Sequence, residues 1–439
     1  MLLMFFIRAS CLTSQRIKDD SMAVQLLIFD LDDTLIRTGD LEHRFRGQQF
    51  LGRQSQQYVD DLRAAYNQNP GRVVYSASAI TILRATYPGV RIGVFTRSPR
   101  HYAETLLSLA YPGLAWDFLI AFEDTPQPKP SGEGIRRLMA GFAIPDPQAV
   151  WMVGDSPVDI RAAYDAGCQV ILDTTTWPRI PAPRRRDDWK ALERMPDAII
   201  DAPADLPTTL SSHVSYLPVA ERLQQTACAP IPNRQPFARM DKFGAFDHER
   251  VKHDIHYLGR HFSTQAQHRA SWHQVTNDIH VMKNALVVPD YWVVAIGAFL
   301  QNLVRRNPNL TFGNSLVVTV VPAKPGRTRR LEAMLIQLST VHAQRPLVNA
   351  GVSFTPDLMR YREGVLSHHG EGLTRQQRIE NVMNHLEIIV GSGYENKHVV
   401  VIDDVATTGA SLVYARKYLM AAGARQVTCL SLTKAINTQ

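Results

Sequence analysis

The chain has 439 residues, too many for one ordinary domain and enough for two or three. Hydrophobic residues make up 45% and charged residues 20%, which describes a soluble globular protein rather than a disordered or membrane-embedded one. A formal net charge of +7 suits anionic partners, although charge alone separates neither nucleotides nor nucleic acid nor phospholipid. The four cysteines, Cys11, Cys168, Cys228 and Cys429, lie far apart without a C-x-x-C pair. They form neither a disulfide framework nor a zinc site, and a reducing cytoplasm is expected.

The opening MLLMFFI meets Arg8 at once and is short for a secretory core, so residues 1–22 are expected as a disordered extension or a misplaced start. No stretch approaches transmembrane length, and no membrane partner is expected. The first chemical signal is residues 26–35, LLIFDLDDTL. A buried-strand run delivers Asp30, Asp32 and Asp33 at its carboxyl end, followed by Thr34. Carboxylates this close repel one another and resist desolvation unless a cation sits among them. Mg²⁺, a hard ion that takes oxygen ligands, is the expected neutraliser. Taken alone, the pattern also fits an acidic turn after a strand.

Residues 39–66 and 76–85 read as helical, enough for a small cap over this site. Residues 91–96, RIGVFT, form a short strand ending in the Thr96 hydroxyl. A helix over 101–110 and a strand over 118–122 follow. Lys129 stands in the turn PQPKPSG before a helix beginning near Glu133. Residues 150–153 are a strand running into Gly154-Asp155-Ser156-Pro157-Val158-Asp159, with a helix over 160–166 and a strand over 170–172. Alternating strands and helices imply a parallel sheet covered on both faces, with ligands bound beyond the strands' carboxyl ends. That topology brings Asp30, Thr96, Lys129 and Asp155 to one rim. In isolation, Thr96 also fits a strand-end cap and Lys129 a surface lysine.

The succession D-L-D-D-T, T-R-S, K-P-S-G-E-G and G-D-S-P-V-D resembles the haloacid-dehalogenase-like (HAD) superfamily of phosphatases over residues 23–210. The resemblance implies Asp30 as a nucleophile forming an aspartyl-phosphate and Asp32 as general acid, then base. It implies Thr96 and Lys129 as holders of the phosphoryl oxygens. Mg²⁺ would be bound by Asp30, Asp155 and the Asp32 carbonyl, with Asp159 supporting that shell. A phosphoryl transition state needs an in-line nucleophile and neutralisation of its spread charge, which these residue types supply.

Residues 177–187, rich in Pro and Arg, are expected to loop over the surface, and residues 197–206 to close the first domain. The run Arg184-Arg185-Arg186 reads as a solvated loop rather than a nucleic-acid site. Residues 213–240 carry Pro218, Pro230, Pro232 and Pro236 and read as a semi-extended linker. His253, His256, His261, His268, His273 and His280 follow without a cysteine or an H-E-x-x-H, and read as a polar helical surface rather than a zinc site.

The second signal is residues 399–411, VVVIDDVATTGAS. An apolar strand carries Asp403 and Asp404 into Thr407-Thr408-Gly409-Ala410-Ser411, which opens a helix through Leu419. Hydroxyls and small residues at a helix N-terminus suit a phosphate, and the acid pair before it suits ribose hydroxyls. A strand–turn–helix with a capping threonine is the plainer alternative. The segment resembles the signature of phosphoribosyltransferases that bind phosphoribosyl pyrophosphate (PRPP), nearest the competence-protein ComF type, over residues 278–432. Asp278-Ile279-His280 with Lys283, residues 315–327 and Gln377–Val382 match further parts of that pattern. The cysteine zinc module of that type is absent, and Arg327–Arg330 lack its usual wording. The resemblance implies Asp403 and Asp404 on the ribose hydroxyls, and Thr407, Thr408, Gly409 and Ser411 on the 5′-phosphate. Lys324 and Arg327 would face the departing pyrophosphate.

The expected architecture is α/β: a HAD-like Rossmannoid parallel sheet with a small helical cap over 23–212, a linker over 213–240, and a second α/β phosphoribosyltransferase-like domain over 241–439. The expected function is a Mg²⁺-dependent phosphate-ester hydrolase joined to a PRPP-dependent transferase, making and then dephosphorylating a nucleotide-like product. The alternative is a phosphatase regulated by a PRPP- or nucleotide-sensing domain. Expected partners are a small phosphate ester, PRPP and a base or other acceptor, with homo-oligomerisation compatible and nucleic acid disfavoured.

Overall fold

A computed structural model of the chain describes residues 24–47, 55–179, 182, 185–226, 242–310, 316–348, 350–366, 373–389, 391 and 393–436. The extension expected over 1–22 and residues 227–240 of the expected linker lie outside the described residues.

The first six strands are β1 (Leu26–Phe29), β2 (Arg91–Phe95), β3 (Leu119–Ile120), β4 (Val150–Gly154), β5 (Gln169–Asp173) and β6 (Ala198–Ile200). They form one sheet in the order β3-β2-β1-β4-β5-β6, parallel throughout. All four residues of β1 are buried, because helices cover both faces and no position alternates to solvent. The chain leaves β1 for β2 and β3 on one side and returns to β4 on the other. The switch point of the sheet therefore lies between β1 and β4, and Asp30 and Asp155 each follow one of these two strands.

Between β1 and β2, where a small cap was expected, the chain forms the helices Glu42–Phe45, Gln56–Asn67 and Ala77–Thr86. Ser55 caps the second of them, accepting from Tyr58 N at 3.1 Å. Tyr58 OH donates to Phe45 O at 2.7 Å, and its ring meets His101 edge-on, which ties the cap to the helix Arg100–Ala110.

The second sheet is built from β7 (Lys242–Phe246), β8 (Lys252–Phe262), β9 (Leu316–Val320), β10 (Val352–Phe354), β13 (His398–Ala406) and β14 (Gln426–Ile436). Its order is β10-β9-β13-β14-β8-β7; β7 pairs antiparallel with β8 and the other neighbours are parallel. A small antiparallel pair, β11 (Met359–Tyr361) and β12 (Leu386–Ile388), lies apart from it. The architecture is thus α/β with two sheets.

Two expectations change here. His253, His256 and His261 lie on β8, not on a helical surface: the strand is paired with β14 on one side and β7 on the other, with Ile255, Tyr257 and Gly259 in register against Cys429, Ser431 and Thr433. Within 213–226, the helix Val219–Thr226 packs on the second sheet, with Ala220 buried beneath it. Among the described residues no helix is long and apolar enough to cross a membrane.

Candidate active site

Asp30 leaves the end of β1, and its N–H donates to Val153 O of β4 at 2.9 Å. Lys129 Nζ reaches in from the turn before the helix Glu133–Gly141. It donates to Asp30 Oδ1 at 2.5 Å and to Asp159 Oδ1 at 2.6 Å, and all three residues are buried. The ammonium also stands 5.4 Å from the centre of the Phe95 ring. Carboxylate oxygens of Asp30, Asp155 and Asp159 lie within 4.8 Å of one another.

The electrostatics of this cluster follow from its burial. Desolvation lifts the Asp30 carboxyl to about 7 against the pull of Lys129, with Asp159 and Asp32 pushing the same way. Burial, then Asp159, Asp30 and Asp33, push Asp155 well above the usual carboxylate range; Arg185, 3.9 Å away and half exposed, counters weakly. The Lys129 pKa is raised, its burial outweighed by Asp159 and Asp30. One ammonium among three acids leaves a negative excess, and the donor set is entirely oxygen. That set fits Mg²⁺.

The supporting residues fix these carboxylates. Ser156 donates to Asp159 Oδ2 through its hydroxyl (2.6 Å) and its N–H (3.2 Å), closing a capping box on the helix Pro157–Ala166. Gly154 permits the approach, since a Cβ there would stand 2.4 Å from Asp159 Cγ. Trp177 Nε1 donates to Asp155 O at 3.0 Å and Thr176 Oγ1 to Asp33 O at 2.6 Å, so the turn after β5 clamps both acidic loops. Trp177 is buried, which corrects the reading of this turn as a surface loop at that point.

Asp32 faces elsewhere. Its Oδ2 accepts from Ser98 Oγ at 2.5 Å and lies 3.5 Å from Thr96 Oγ1; its Oδ1 accepts from Tyr102 OH at 3.1 Å. Its carboxylate therefore stands outside the trio that could grip a metal, beside the cap residue Arg46, whose Nη1 is 3.7 Å away. Ser98, Tyr102, Trp177 and Arg46 were not among the sequence candidates. The serine of T-R-S, two residues after Thr96, was the one signal that pointed to any of them.

A second cluster forms where β9 and β13 lie side by side, Val321 N donating to Ile402 O at 2.8 Å. Asp403 and Asp404 lie within β13, which runs on to Ala406 rather than ending at the acids. Arg330, at the start of the helix Arg330–Gln344, pairs with Asp404 and donates to Ile279 O at 3.2 Å. Burial lifts Asp403 to about 7, opposed by Arg330 and Lys324. Lys324 donates to Leu366 O and stands 5.9 Å from the centre of the Tyr361 ring, whose hydroxyl is 3.3 Å from Ser411 Oγ. Thr407 is exposed and Thr408 half-buried, with Thr408 Oγ1 accepting from Ala410 N at 3.4 Å. Gly409 takes φ +76°, and a Cβ there would stand 2.4 Å from Ile255 Cδ1, so packing on β8 accounts for this glycine without a ligand. Arg327 is exposed, and among the described residues no hydrogen bond or ion pair joins its side chain to the acid pair.

Residues 45–172 match the family model described as haloacid dehalogenase-like hydrolase. A phosphoglycolate phosphatase of Rhodospirillum rubrum is 31% identical over 114 residues, covering 25% of this chain and 46% of the relative, so the chain spans about half the length of that curated relative. Among solved structures, one described as a predicted phosphoglycolate phosphatase from Haemophilus somnus is 19% identical over 42% of this chain and 97% of its own, with a TM-score of 0.29. CbbY from Rhodobacter sphaeroides, in complex with phosphate, is 20% identical over 42% of this chain and 96% of its own, with a TM-score of 0.31. By the family model, the N-terminal half of this chain carries a haloacid dehalogenase-like hydrolase domain.

Proposed function

We propose that the N-terminal half hydrolyses phosphate monoesters through a phosphoryl group carried transiently on Asp30. One observation supports this most: an ammonium, a nucleophilic carboxylate and two further acids, from three separate segments, meet beyond β1 and β4. Mg²⁺ held by Asp30 and Asp155, with Asp159 behind them, would neutralise charge on the phosphoryl oxygens. Lys129 occupies Asp30 Oδ1, which leaves Oδ2 to attack phosphorus. The new Asp30–phosphorus bond forms as the ester bond breaks, and Asp32 gives its proton to the departing oxygen. Asp32 then takes a proton from the water that attacks phosphorus, which restores Asp30 and releases inorganic phosphate. Ser98 and Tyr102 hold Asp32 in place for both steps, while Lys129 and Thr96 steady the phosphoryl oxygens.

The test is phosphate release from a panel of monoesters, with Mg²⁺ and with a chelator. Mg²⁺-dependent release that Asp30→Asn abolishes supports the proposal; a variant as active as the parent removes it.

The C-terminal half carries a second reading, as a binder of a ribose 5-phosphate such as PRPP and a possessor of transferase activity. What favours it is Asp403 and Asp404 standing together with Lys324 and Arg330, two cations beside an acid pair at a strand–turn–helix junction. Ribose hydroxyls would have to displace Arg330 from Asp404, freeing that guanidinium for the pyrophosphate. Product made here would then be a substrate for the N-terminal half. Pyrophosphate release from PRPP with a panel of bases tests the transferase reading. Saturable PRPP binding without turnover, changing phosphatase rates, would instead mark a sensing domain.

A further inference from the structure

Two neighbouring residues of the turn after β5 hold the two acidic loops of the candidate site. Thr176 Oγ1 donates to Asp33 O in the loop after β1, and Trp177 Nε1 donates to Asp155 O in the loop after β4. These loops flank the switch point of the sheet, and they carry Asp30 and Asp155 respectively. Because the two donors are adjacent in sequence, their separation limits how far the loops can part. Asp33 takes φ +53°, a left-handed backbone uncommon outside glycine, and its Oδ1 accepts from Thr38 N at 3.1 Å. A residue in that conformation keeps its place only where the surrounding structure holds it.

The turn is itself anchored. Asp173, the last residue of β5, accepts from Thr175 N at 2.9 Å through Oδ1 and from the Tyr75 hydroxyl at 2.5 Å through Oδ2. Both Asp173 and Tyr75 are buried, and the Tyr75 ring meets Phe29 of β1 edge-on, with centroids 5.1 Å apart. Tyr75 follows closely on Val73, which bridges to Ile36 where the chain returns from the first two helices after β1. A line of hydrogen bonds and backbone thus runs from Tyr75 through Asp173 to the turn, and from the turn to both acidic loops.

The carboxylates of Asp30, Asp155 and Asp159 crowd around a single ammonium, and their mutual repulsion tends to separate the loops that carry them. Resting on the phosphatase reading and its Mg²⁺, we infer that Thr176 and Trp177, anchored by Asp173 and Tyr75, are positioning residues that preorganise the metal site. Their hydrogen bonds reach backbone carbonyls of the two loops, not the carboxylates themselves. They keep Asp30 and Asp155 close while the repulsion is uncompensated, so the oxygen set is assembled on folding rather than on metal binding. Without this tie, part of the binding energy goes into drawing the loops together, and affinity falls.

The test is Mg²⁺ titration of the full-length protein by calorimetry without any ester, alongside urea unfolding in a chelator. Outer-shell partners of metal ligands are worth roughly 10–100-fold in affinity, and a tie through backbone belongs at the low end. W177F and T176V should each raise the Mg²⁺ Kd about 10-fold, whereas T176S, which keeps the hydroxyl, should stay near the parent. Y75F should shift Kd in the same direction. The W177F/Y75F double variant should lose less than the product of the two single effects, because both act through one turn. D155N should abolish binding. Parent-like Kd in W177F and T176V overturns the inference, as does T176S binding as weakly as T176V. Stability lost in the chelator with Kd unmoved would mark a packing role and overturn it too. A fully multiplicative double variant would overturn the part given to Tyr75. If W177F and T176V bind like the parent while D155N does not bind, the phosphatase reading stands without the inference. No Mg²⁺ binding by the parent would overturn both.

Discussion

Single side chains decide the character of the first site. Among the described residues, Lys129 is the one cation buried between Asp30 and Asp159, and its removal strands two desolvated carboxylates. Removing one partner of a buried ion pair costs about 3–5 kcal/mol because the other charge stays buried. Lys129→Met should therefore lose stability of that order in urea unfolding without Mg²⁺, and should lose phosphatase activity with it. A variant as stable as the parent would show that the ammonium is not what holds these acids together. Asp30, Thr96, Lys129 and Asp155 were legible because each ends a strand or punctuates a turn, and strand ends of a parallel sheet share one rim. Ser98, Tyr102 and Arg46 were not, because their roles come from distances across the fold to Asp32, which no local pattern encodes.

At the scale of elements, close approach and burial set the tolerances. A Cβ at Gly154 would meet Asp159 Cγ at 2.4 Å, and neither the β4 end nor the capped helix start can give way freely. Gly154→Ala should cost about 1–3 kcal/mol and displace Asp159, lowering phosphate release more than it lowers the melting temperature of the fold. His398 opens β13, is buried, and pairs through Nε2 with Thr428 Oγ1 of β14 at 2.8 Å. Burial depresses its pKa from 6.5 to about 4, with Arg425 adding to the effect. The sign follows: a depressed folded pKa gives stability present above pH 6.5 and lost as pH falls through about 4. The stake is roughly 3 kcal/mol. His398→Gln, which keeps an amide for Thr428, should flatten that acid dependence relative to the parent in denaturant titrations at stepped pH. The long β13 was readable from its apolar run. The β7–β8 pair was missed: histidines interrupt the alternation of β8, and residues 257–260 are buried in succession, which leaves little amphipathic signal.

Across the whole molecule, the two sheets are joined by a buried ionic cluster. Arg260 of β8 donates to Glu221 Oε2 at 2.6 Å, to Asp197 Oδ1 at 2.9 Å and to Tyr164 OH at 2.8 Å. Arg269 donates to the same Asp197 oxygen at 2.5 Å and to Cys168 O at 2.8 Å. Tyr164 lies on the helix whose first turn carries Asp159, so one rigid element runs from the candidate active site to the second sheet. Arg260→Met should leave Asp197 and Glu221 under-neutralised in a buried interface and cost about 3–5 kcal/mol. Calorimetry should show one cooperative transition in the parent and separated or broadened transitions in the variant. An unaltered single transition would mean that the halves do not depend on this contact. None of this was visible in the sequence, where Asp197, Glu221, Arg260 and Arg269 look like unremarkable surface charges.

The central claim is that Asp30 carries the phosphoryl group. The direct measurement is mass spectrometry of protein quenched in acid during turnover of a monoester it hydrolyses with Mg²⁺. The account predicts one phosphoryl group on the peptide containing Asp30, absent from Asp30→Asn. Steady hydrolysis with no covalent phosphate, or with the phosphate on another residue, would contradict it.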